Sequence, residues 1–136
     1  MNKVTPINEE FVVEDNAIIS QTDLNGVIVY ANRKFCEISG YTADELVGQS
    51  HNIIRHPGMP SAAFKKMWNT LSSGHTWNGL IKNIRKDGLY YWVDTEILPI
   101  RDENNKVTGY IAVRKKASRK DINETEVIYE KMYEDQ

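Results

Sequence analysis

The order of β-rich runs and short turns constrains the fold of this chain more than any other feature of its sequence. Runs 17–22 and 27–30 flank the tetrapeptide Asp23-Leu24-Asn25-Gly26, whose Asn-Gly pair favours positive φ and a tight hairpin. Three more β-rich runs follow late in the chain, at 77–84, 89–100 and 107–114. Only short turns separate them, and turns of that length join antiparallel neighbours. The sequence therefore predicts a five-stranded antiparallel sheet.

Three short helices are predicted between the second and third strands. Asn32 begins the first helix and Gly40 ends it, and Thr42 with Glu45 forms a capping box for the second. The third begins at Ser61, and its apolar residues recur at helical spacing: Phe64, Met67, Trp68 and Leu71. An antiparallel sheet covered on one side by helices is an α+β fold. A pocket between the two layers is expected.

Three segments follow from this pattern. Residues 1–16 are polar with an apolar island at 11–13 and are predicted to form an N-terminal cap on a domain that spans 17–116. Residues 117–136 are predicted to form a C-terminal helical connector. Its apolar residues fit two arrangements equally well: docking on another chain or a second copy, or packing against its own sheet.

The length, composition and net charge of the chain are those of an ordinary globular protein, and they exclude several classes of protein. A length of 136 residues fits one domain, and 40% apolar with 26% charged residues is a normal composition. The net charge of −2 gives no basic face for nucleic acid. Cys36 is the single cysteine, which excludes an internal disulfide. Since no signal segment and no apolar run of about 18 residues occurs, we expect a cytoplasmic protein without a membrane span.

Residues suited to a cofactor pocket are concentrated in the middle of the chain. All three histidines and all three tryptophans lie between His51 and Trp92, in a stretch that also contains Arg55 and a kink at 57–60. Flat aromatic faces, a fixed cation and amides beside a kinked backbone are the groups that hold a planar anionic cofactor.

Short motifs in this order resemble those of a PAS sensor domain over residues 10–116. They are Asp23-Leu24-Asn25-Gly26, Tyr30-Ala31-Asn32, Ser39-Gly40-Tyr41-Thr42, Glu45-Leu46-Val47-Gly48 and Gly109-Tyr110-Ile111. The middle of the chain resembles the PAS domain of bacterial aerotaxis receptors, through the motifs His51-Asn52-Ile53-Ile54-Arg55-His56-Pro57, Met59-Pro60, Met67-Trp68, Trp77-Asn78-Gly79 and Tyr90-Tyr91-Trp92-Val93. One departure is Gly58, where that family commonly has Asp.

This resemblance implies a sensor that binds FAD non-covalently and reports the redox state of the flavin, and so oxygen or energy status, to the chemotaxis machinery. Members of the family usually carry a membrane anchor and a signalling stalk on the same chain. We therefore expect a chemoreceptor or signalling domain as partner, in trans or on a longer parent chain, and association with a membrane receptor complex. A homodimer is a further expectation.

FAD needs cations at its pyrophosphate and amides at its ring edge, and the resemblance suggests residues for each need. Arg55 and His56 are the candidates for the phosphates. Asn83, followed by Asn32, is the candidate for the donor and acceptor edge of the isoalloxazine. His51 is a weaker candidate because it could simply hold the bend that follows it.

Aromatic residues are predicted to wall the ring. Trp77 could stack on the flavin, and Phe64 and Trp68 lie on the inward face of the third helix. Packing of an ordinary core explains these three residues almost as well. Tyr91 and Trp92 alternate along a strand, so only one of them can face the pocket.

Other functions stay open on the sequence. An enzyme is not predicted, because no nucleophile elbow, metal-ligand repeat or phosphate-binding glycine loop occurs. Haem bound through His51 or His56 is the main alternative cofactor, and a cofactor-free dimerisation module is another reading. A light sensor of the cysteinyl-flavin kind is disfavoured, because Cys36 falls on the first short helix.

Overall fold

A computed structural model describes residues 4–136, and within them the five predicted strands form one antiparallel sheet. The strands are β1 (Ile18–Asp23), β2 (Ile28–Ala31), β3 (Trp77–Ile84), β4 (Tyr90–Arg101) and β5 (Val107–Lys116), in the spatial order β2-β1-β5-β4-β3. Short turns make β1 and β2, β3 and β4, and β4 and β5 neighbours, as predicted. Pairing of β1 with β5 closes the centre of the sheet and confirms the α+β class.

Three α-helices and a 3₁₀ turn lie between β2 and β3. They are α1 (Arg33–Ser39), α2 (Ala43–Leu46), a 3₁₀ turn (His51–Ile54) and α3 (Ser61–Ser72). Gly40 ends α1 with a φ of 81°, and the predicted capping box of Thr42 and Glu45 is formed at α2. The 3₁₀ turn was not predicted; it links α2 to the kink before α3.

The β1–β2 hairpin is confirmed, but its turn differs from the predicted one. The Asp23 carboxylate accepts hydrogen bonds from the backbone N–H groups of Asn25 at 2.8 Å and Val27 at 3.0 Å. In this turn Gly26 alone has a positive φ, of 80°. A single left-handed glycine and an Asx-type side-chain acceptor therefore make this connection, rather than two consecutive residues of positive φ.

Adjacent residues of β4 show which face of the sheet each layer covers. Tyr91 is fully buried in a cluster with Phe35 of α1, on the side of the short helices. Trp92 points to the opposite side, where it packs with Ile122 of the last helix, α4 (Arg119–Glu134). The prediction of helices on one side only was therefore incomplete: α4 folds back and covers part of the outer face. No helix within residues 4–136 has the length and apolarity that a membrane crossing requires.

Residues 4–16 precede the sheet without regular secondary structure. The backbone N–H of Phe11 donates to the carbonyl of Tyr90 at 2.8 Å, and the Phe11 ring lies 4.2 Å from the Arg85 guanidinium. The carboxylate of Glu10 accepts two hydrogen bonds of 2.9 Å from Arg119 at the start of α4. This segment thus contacts both β4 and α4.

Candidate functional site

A cavity lies between α3 and the inner face of the sheet. The space between its atoms, counted together with the part that opens to solvent, is about 680 Å³. Its apolar wall combines one face of α3 with inward side chains of β3 and β4: Phe64, Met67, Trp68, Leu71, Ile81 and Ile97. This wall bounds an apolar slot between α3 and the sheet.

Polar groups meet the apolar slot at several points. They come from β1, the 3₁₀ turn, β3, β4 and β5: Ser20, His51, Arg55, Asn83, Thr95 and Arg114. Four of them, Ser20, Asn83, Thr95 and Arg114, are buried, with 0%, 3%, 1% and 2% of their surface exposed. An apolar slot with a few convergent polar groups has the composition of a binding site rather than of a filled core.

Arg114 is the most unusual of these groups, because its guanidinium is buried without a carboxylate partner in the part of the chain that the structure describes. It donates to Ser20 Oγ at 3.0 Å and to the carbonyl of Ile18 at 3.4 Å, and it lies 4.8 Å from the centre of the Phe35 ring. Neutral acceptors and a ring face compensate a buried cation only partly. An anion in the cavity would complete its environment.

His51 lies beside this cation. Its Nε2 is 2.7 Å from Arg114 Nη2 and 3.3 Å from Ser20 Oγ, and its ring stacks near Phe35 at 6.1 Å between centroids. Burial, with the charge of Arg114 second, lowers the pKa of His51 to about 3. Burial also lowers the pKa of Arg114, to about 10, and the guanidinium stays charged at neutral pH. The pair therefore carries one positive charge.

Asn83 and Tyr91 lie directly opposite each other on β3 and β4. The Asn83 amide lines the cavity. Tyr91 is fully buried behind it, and its hydroxyl has no hydrogen-bond partner within residues 4–136. Burial raises the pKa of Tyr91 to about 12, and the Arg114 charge and the nearby Asn83 amide offset part of that rise. A buried amide and an unsatisfied hydroxyl are groups that a ligand edge could engage.

Arg55, which follows the 3₁₀ turn, is half-buried in the lining of the cavity. Its guanidinium covers the Phe64 ring at 4.0 Å, and its backbone forms an isolated antiparallel bridge with Asn83. The cavity adjoins a second, more open pocket, which shares Gly26, His51, Asn52 and Trp68 as lining residues. A long ligand could therefore extend from the slot to the surface.

Five of the ten residues predicted for the site line the cavity: His51, Arg55, Phe64, Trp68 and Asn83. The five others lie outside its lining: Asn32, His56, Trp77, Tyr91 and Trp92. Of the two alternating residues, Tyr91 is on the cavity side and Trp92 is on the α4 side.

Local contacts account for three of the residues outside the lining. Asn32 caps α1 by accepting from the Phe35 N–H at 3.0 Å and also accepts from the Ile19 N–H at 3.1 Å. The Trp77 indole lies on the backbone of Gly79, where an added Cβ would be 2.6 Å from the ring. His56 Nδ1 accepts from the Gly58 N–H at 2.9 Å.

Gly58, the departure from the family pattern, is fitted to that histidine. A Cβ at Gly58 would lie 3.0 Å from His56 Nδ1 and 3.2 Å from its Cε1. Burial, with the charge of Lys82 second, lowers the pKa of His56 to about 4. The loop thus holds a neutral imidazole against a bare backbone instead of placing a carboxylate there.

The sequence reasoning missed Arg114, Ser20 and Tyr110 as lining residues. A signal for Arg114 exists in β5, where the inward positions alternate as Tyr110, Ala112 and Arg114. An ionisable residue on the apolar face of a strand is rarely buried unless it has a specific partner. Lys115 and Lys116 follow directly, so the local composition does not distinguish Arg114 from an exposed basic residue.

The sheet order, the short helices and the cavity between them define a sensor-type α+β domain. The sequence matches the model of the PAS fold over residues 28–114, and the chain belongs to the PAS family. Over 118 residues it is 44% identical to the aerotaxis receptor of Escherichia coli (strain K12). The aligned region covers 87% of this chain and 23% of the receptor. The chain thus spans about a quarter of that relative, and the resemblance seen in its motifs is confirmed.

Solved structures of similar fold are LOV domains. The light-state structure of the blue-light photoreceptor Aureochrome1 LOV has a TM-score of 0.72 at 25% identity, over 82% of this chain and 92% of that chain. A LOV domain studied with a flavin analogue has a TM-score of 0.70 at 25% identity, over 90% and 89%. These relatives are sensory domains of signalling proteins. The present domain shares their fold and belongs to the same general class of sensory domain.

Proposed function

We propose that this domain binds FAD non-covalently in the cavity under α3 and signals the redox state of the flavin to the chemotaxis machinery. The observation that carries the proposal is the buried Arg114 guanidinium, which lines the cavity beside its apolar wall and has no carboxylate partner among the described residues. The identity to an aerotaxis receptor supports the same function.

The residues that line the cavity supply the kinds of group that a flavin needs. The apolar slot between Phe64 and Ile81 suits a tricyclic ring, and the Asn83 amide can both donate to and accept from its polar edge. Arg55, in the lining of the cavity, is the group that would pair with the pyrophosphate. FAD supplies the electron chemistry, and the protein supplies binding, orientation and electrostatics.

The electrostatics of the site suit a sensor of electron count. Reduction changes the hydrogen-bonding edge of a flavin and can add negative charge to it. A buried cation stabilises added negative charge far more than a solvated one does. Arg114 of β5 would therefore favour the reduced flavin, while Asn83 of β3, on the far side of β4, would reorient its amide. Such a switch needs two packings that differ by a few kcal/mol.

The output is proposed to reach a chemoreceptor or signalling domain, in trans or on a longer parent chain. The aerotaxis receptor and the nitrogen fixation regulatory protein of Klebsiella oxytoca, which is 32% identical over 107 residues, each carry the matched region as less than a quarter of their length. We place the domain in the cytoplasm, where electron-transport flux or oxygen would set the flavin state, and we assign it no turnover of substrate.

Haem and cysteinyl-flavin photochemistry fit the site less well. Haem ligation through His51 Nε2 would break its 2.7 Å contact with Arg114 and leave that buried cation with only Ser20 Oγ and the Ile18 carbonyl as acceptors. Cys36, the single cysteine, packs against the cluster around Phe35 and does not line the cavity. A thiol in that position has no access to a ring in the slot.

The absorption spectrum of protein purified after growth with ample riboflavin tests the proposal directly. We expect a two-banded flavin spectrum that bleaches under dithionite, and heat extraction should release FAD rather than FMN. An intense Soret band would replace the proposal with a haem sensor. Colourless protein that also fails to take up added FAD would leave a cofactor-free module.

A matched pair of asparagine variants on β3 tests the role of the cavity amide. Asn83→Ala should lower the amount of FAD that the protein retains after a fixed volume of washing. The variant lacks the amide that would hydrogen-bond the polar edge of the isoalloxazine ring. Asn78→Ala is the control, since Asn78 is an exposed residue of the same strand. Equal FAD retention and equal redox response in the two variants would remove Asn83 from the site.

A further inference from the structure

Helix α3, which forms the apolar wall of the cavity, begins without a cap of its own. The residue before its first turn is Pro60, which makes no side-chain capping bond. Instead, Gln136 reaches this end from the far end of the described chain: its Oε1 accepts from the Ser61 N–H at 2.8 Å and from Ser61 Oγ at 2.9 Å. A residue just beyond α4 thus caps the helix that walls the ligand site.

A second residue of α4 contacts the opposite wall. Tyr129 Oη donates to the backbone carbonyl of Leu80 at 2.7 Å, next to the cavity-lining Ile81 of β3. Its ring stacks near Trp92 at 6.1 Å between centroids. Tyr129 and Met132 also pack against the cluster that contains Met67 of α3. Helix α4 therefore holds α3 and β3 together from outside the cavity.

We propose that Gln136 and Tyr129 are positioning residues of the cavity, and that α4 docking and occupancy of the slot are coupled through α3. This inference rests on the proposed function in one respect, which is that FAD is the ligand that occupies the slot. Helix α3 and strand β3 both form part of the wall of the slot. Tyr129 of α4 bonds to β3, Gln136 just beyond α4 bonds to α3, and neither residue lines the slot. Any shift of α3 that accommodates a ring must act on the bonds between Gln136 and Ser61.

Thermodynamic linkage makes the coupling testable in both directions. If α4 docking favours the occupied slot, FAD must favour docked α4 by the same factor. The bonds at stake are one helix cap and one buried hydrogen bond, so each variant should weaken FAD binding by about two- to ten-fold. The exchange of α4 backbone amides should slow by a comparable factor when FAD binds.

The first arm of the test needs no cofactor. Hydrogen exchange of backbone amides is measured for the first turn of α3 in the flavin-free full chain and in Gln136→Ala, Gln136→Glu and Val127→Ala variants. Gln136→Ala should speed exchange at Ser61 and the next residues, whereas Gln136→Glu, which keeps an acceptor oxygen, should not. Val127→Ala is the control, because Val127 is 68% exposed on α4. Equal protection in all four proteins would overturn the capping contact.

The second arm measures FAD dissociation constants by flavin fluorescence for the same proteins and for Tyr129→Phe, together with α4 exchange with and without FAD. We expect weaker binding for Gln136→Ala and Tyr129→Phe, recovery in Gln136→Glu and no change in Val127→Ala. The coupling would be overturned if all these proteins had the same FAD dissociation constant and if FAD did not change the hydrogen-exchange rates of the α4 amides. Absence of FAD binding in every protein, wild type included, would reject the proposed function, and the first arm would still decide the capping contact.

Discussion

The contact between His51 Nε2 and Arg114 Nη2, 2.7 Å long, fixes the protonation state of the imidazole. A guanidinium nitrogen can only donate, so His51 Nε2 must accept and the ring proton must be on Nδ1. The histidine is therefore neutral and sits beside a charged arginine in the wall of the cavity. Protonation of His51 would bring two positive charges into contact and would break this hydrogen bond.

Acid should destabilise the protein through this histidine. The pKa of His51 is about 3 in the folded protein and about 6.5 in an unfolded chain. Between these values the unfolded state binds a proton that the folded state does not, so the free energy of unfolding falls as the pH is lowered. The contribution is complete above about pH 6.5 and is lost progressively as the pH falls toward 3.

The His51→Gln variant, which keeps an acceptor and cannot titrate, should flatten this dependence. Urea unfolding at several pH values between 5 and 6.5 should show a slope smaller than the wild-type slope by up to about 1.4 kcal/mol per pH unit. Burial also lowers the pKa of His56, to about 4, so some dependence should remain. His75→Gln, at an exposed position, serves as control, and identical slopes in wild type and His51→Gln would contradict the assignment.

Removal of the buried cation should separate stability from redox chemistry. In Arg114→Met the flavin-free protein should lose little stability, or gain about 1 kcal/mol, because an apolar side chain replaces a desolvated charge without a carboxylate partner. The reduction potential of bound FAD should become more negative, since a reduced flavin loses a nearby positive charge. Spectroelectrochemical titration of the loaded protein measures the second effect.

Arg114→Lys is the matched variant, because it keeps the charge and loses the planar set of donors. Its reduction potential should lie between those of wild type and Arg114→Met. A potential that is the same in all three proteins would show that the guanidinium does not face the flavin.

Local patterns were sufficient to predict the elements of this fold. The bounds predicted for β3 are those observed, and the capping box at α2 and the glycine that ends α1 are both present. These features depend on residues within a few positions of one another. The pairing of β1 with β5 joins residues about ninety positions apart, such as Ile18 and Arg114. It depends on burial of the whole sheet and left no local signal.

The site divides in the same way. Residues on the amphipathic helix and in the aerotaxis-like motif were predicted as candidates, and Phe64, Trp68 and Arg55 do line the cavity. Arg114 was missed because its role depends on a partner 63 positions away, His51. Trp77 was predicted to stack on a ligand, but strand alternation does not reveal that its indole lies on Gly79.

Asn32 is expected to act mainly on stability. Its Oδ1 accepts from the Phe35 and Ile19 N–H groups, and its Nδ2 donates to the carbonyl of Ala17 at 2.8 Å, where the backbone has a φ of 59°. Asn32→Ala should therefore cost about 2–3 kcal/mol in the free energy of unfolding. Asn32→Asp, which keeps the acceptor, should cost about 1 kcal/mol.

The flavin spectrum of the folded fraction decides between capping and ligand contact at Asn32. If Asn32 acts only as a helix cap, the flavin absorption bands of Asn32→Asp should keep the wild-type positions and fine structure. A shift of the flavin bands, at unchanged stability, would instead support the contact with the isoalloxazine that the family resemblance suggests.

The Trp77 indole and Gly79 should behave as one packing unit. A methyl group at residue 79 would lie 2.6 Å from two ring carbons of Trp77, so Gly79→Ala must displace the indole and should cost about 1–3 kcal/mol. Trp77→Ala alone should cost about 3–5 kcal/mol if the indole contributes to the core in the usual way. In the double variant there is no ring to displace, so its loss should be smaller than the sum of the single losses. Chemical unfolding of the four proteins gives the coupling free energy, and a value near zero would mean that the indole does not rest on this glycine in solution.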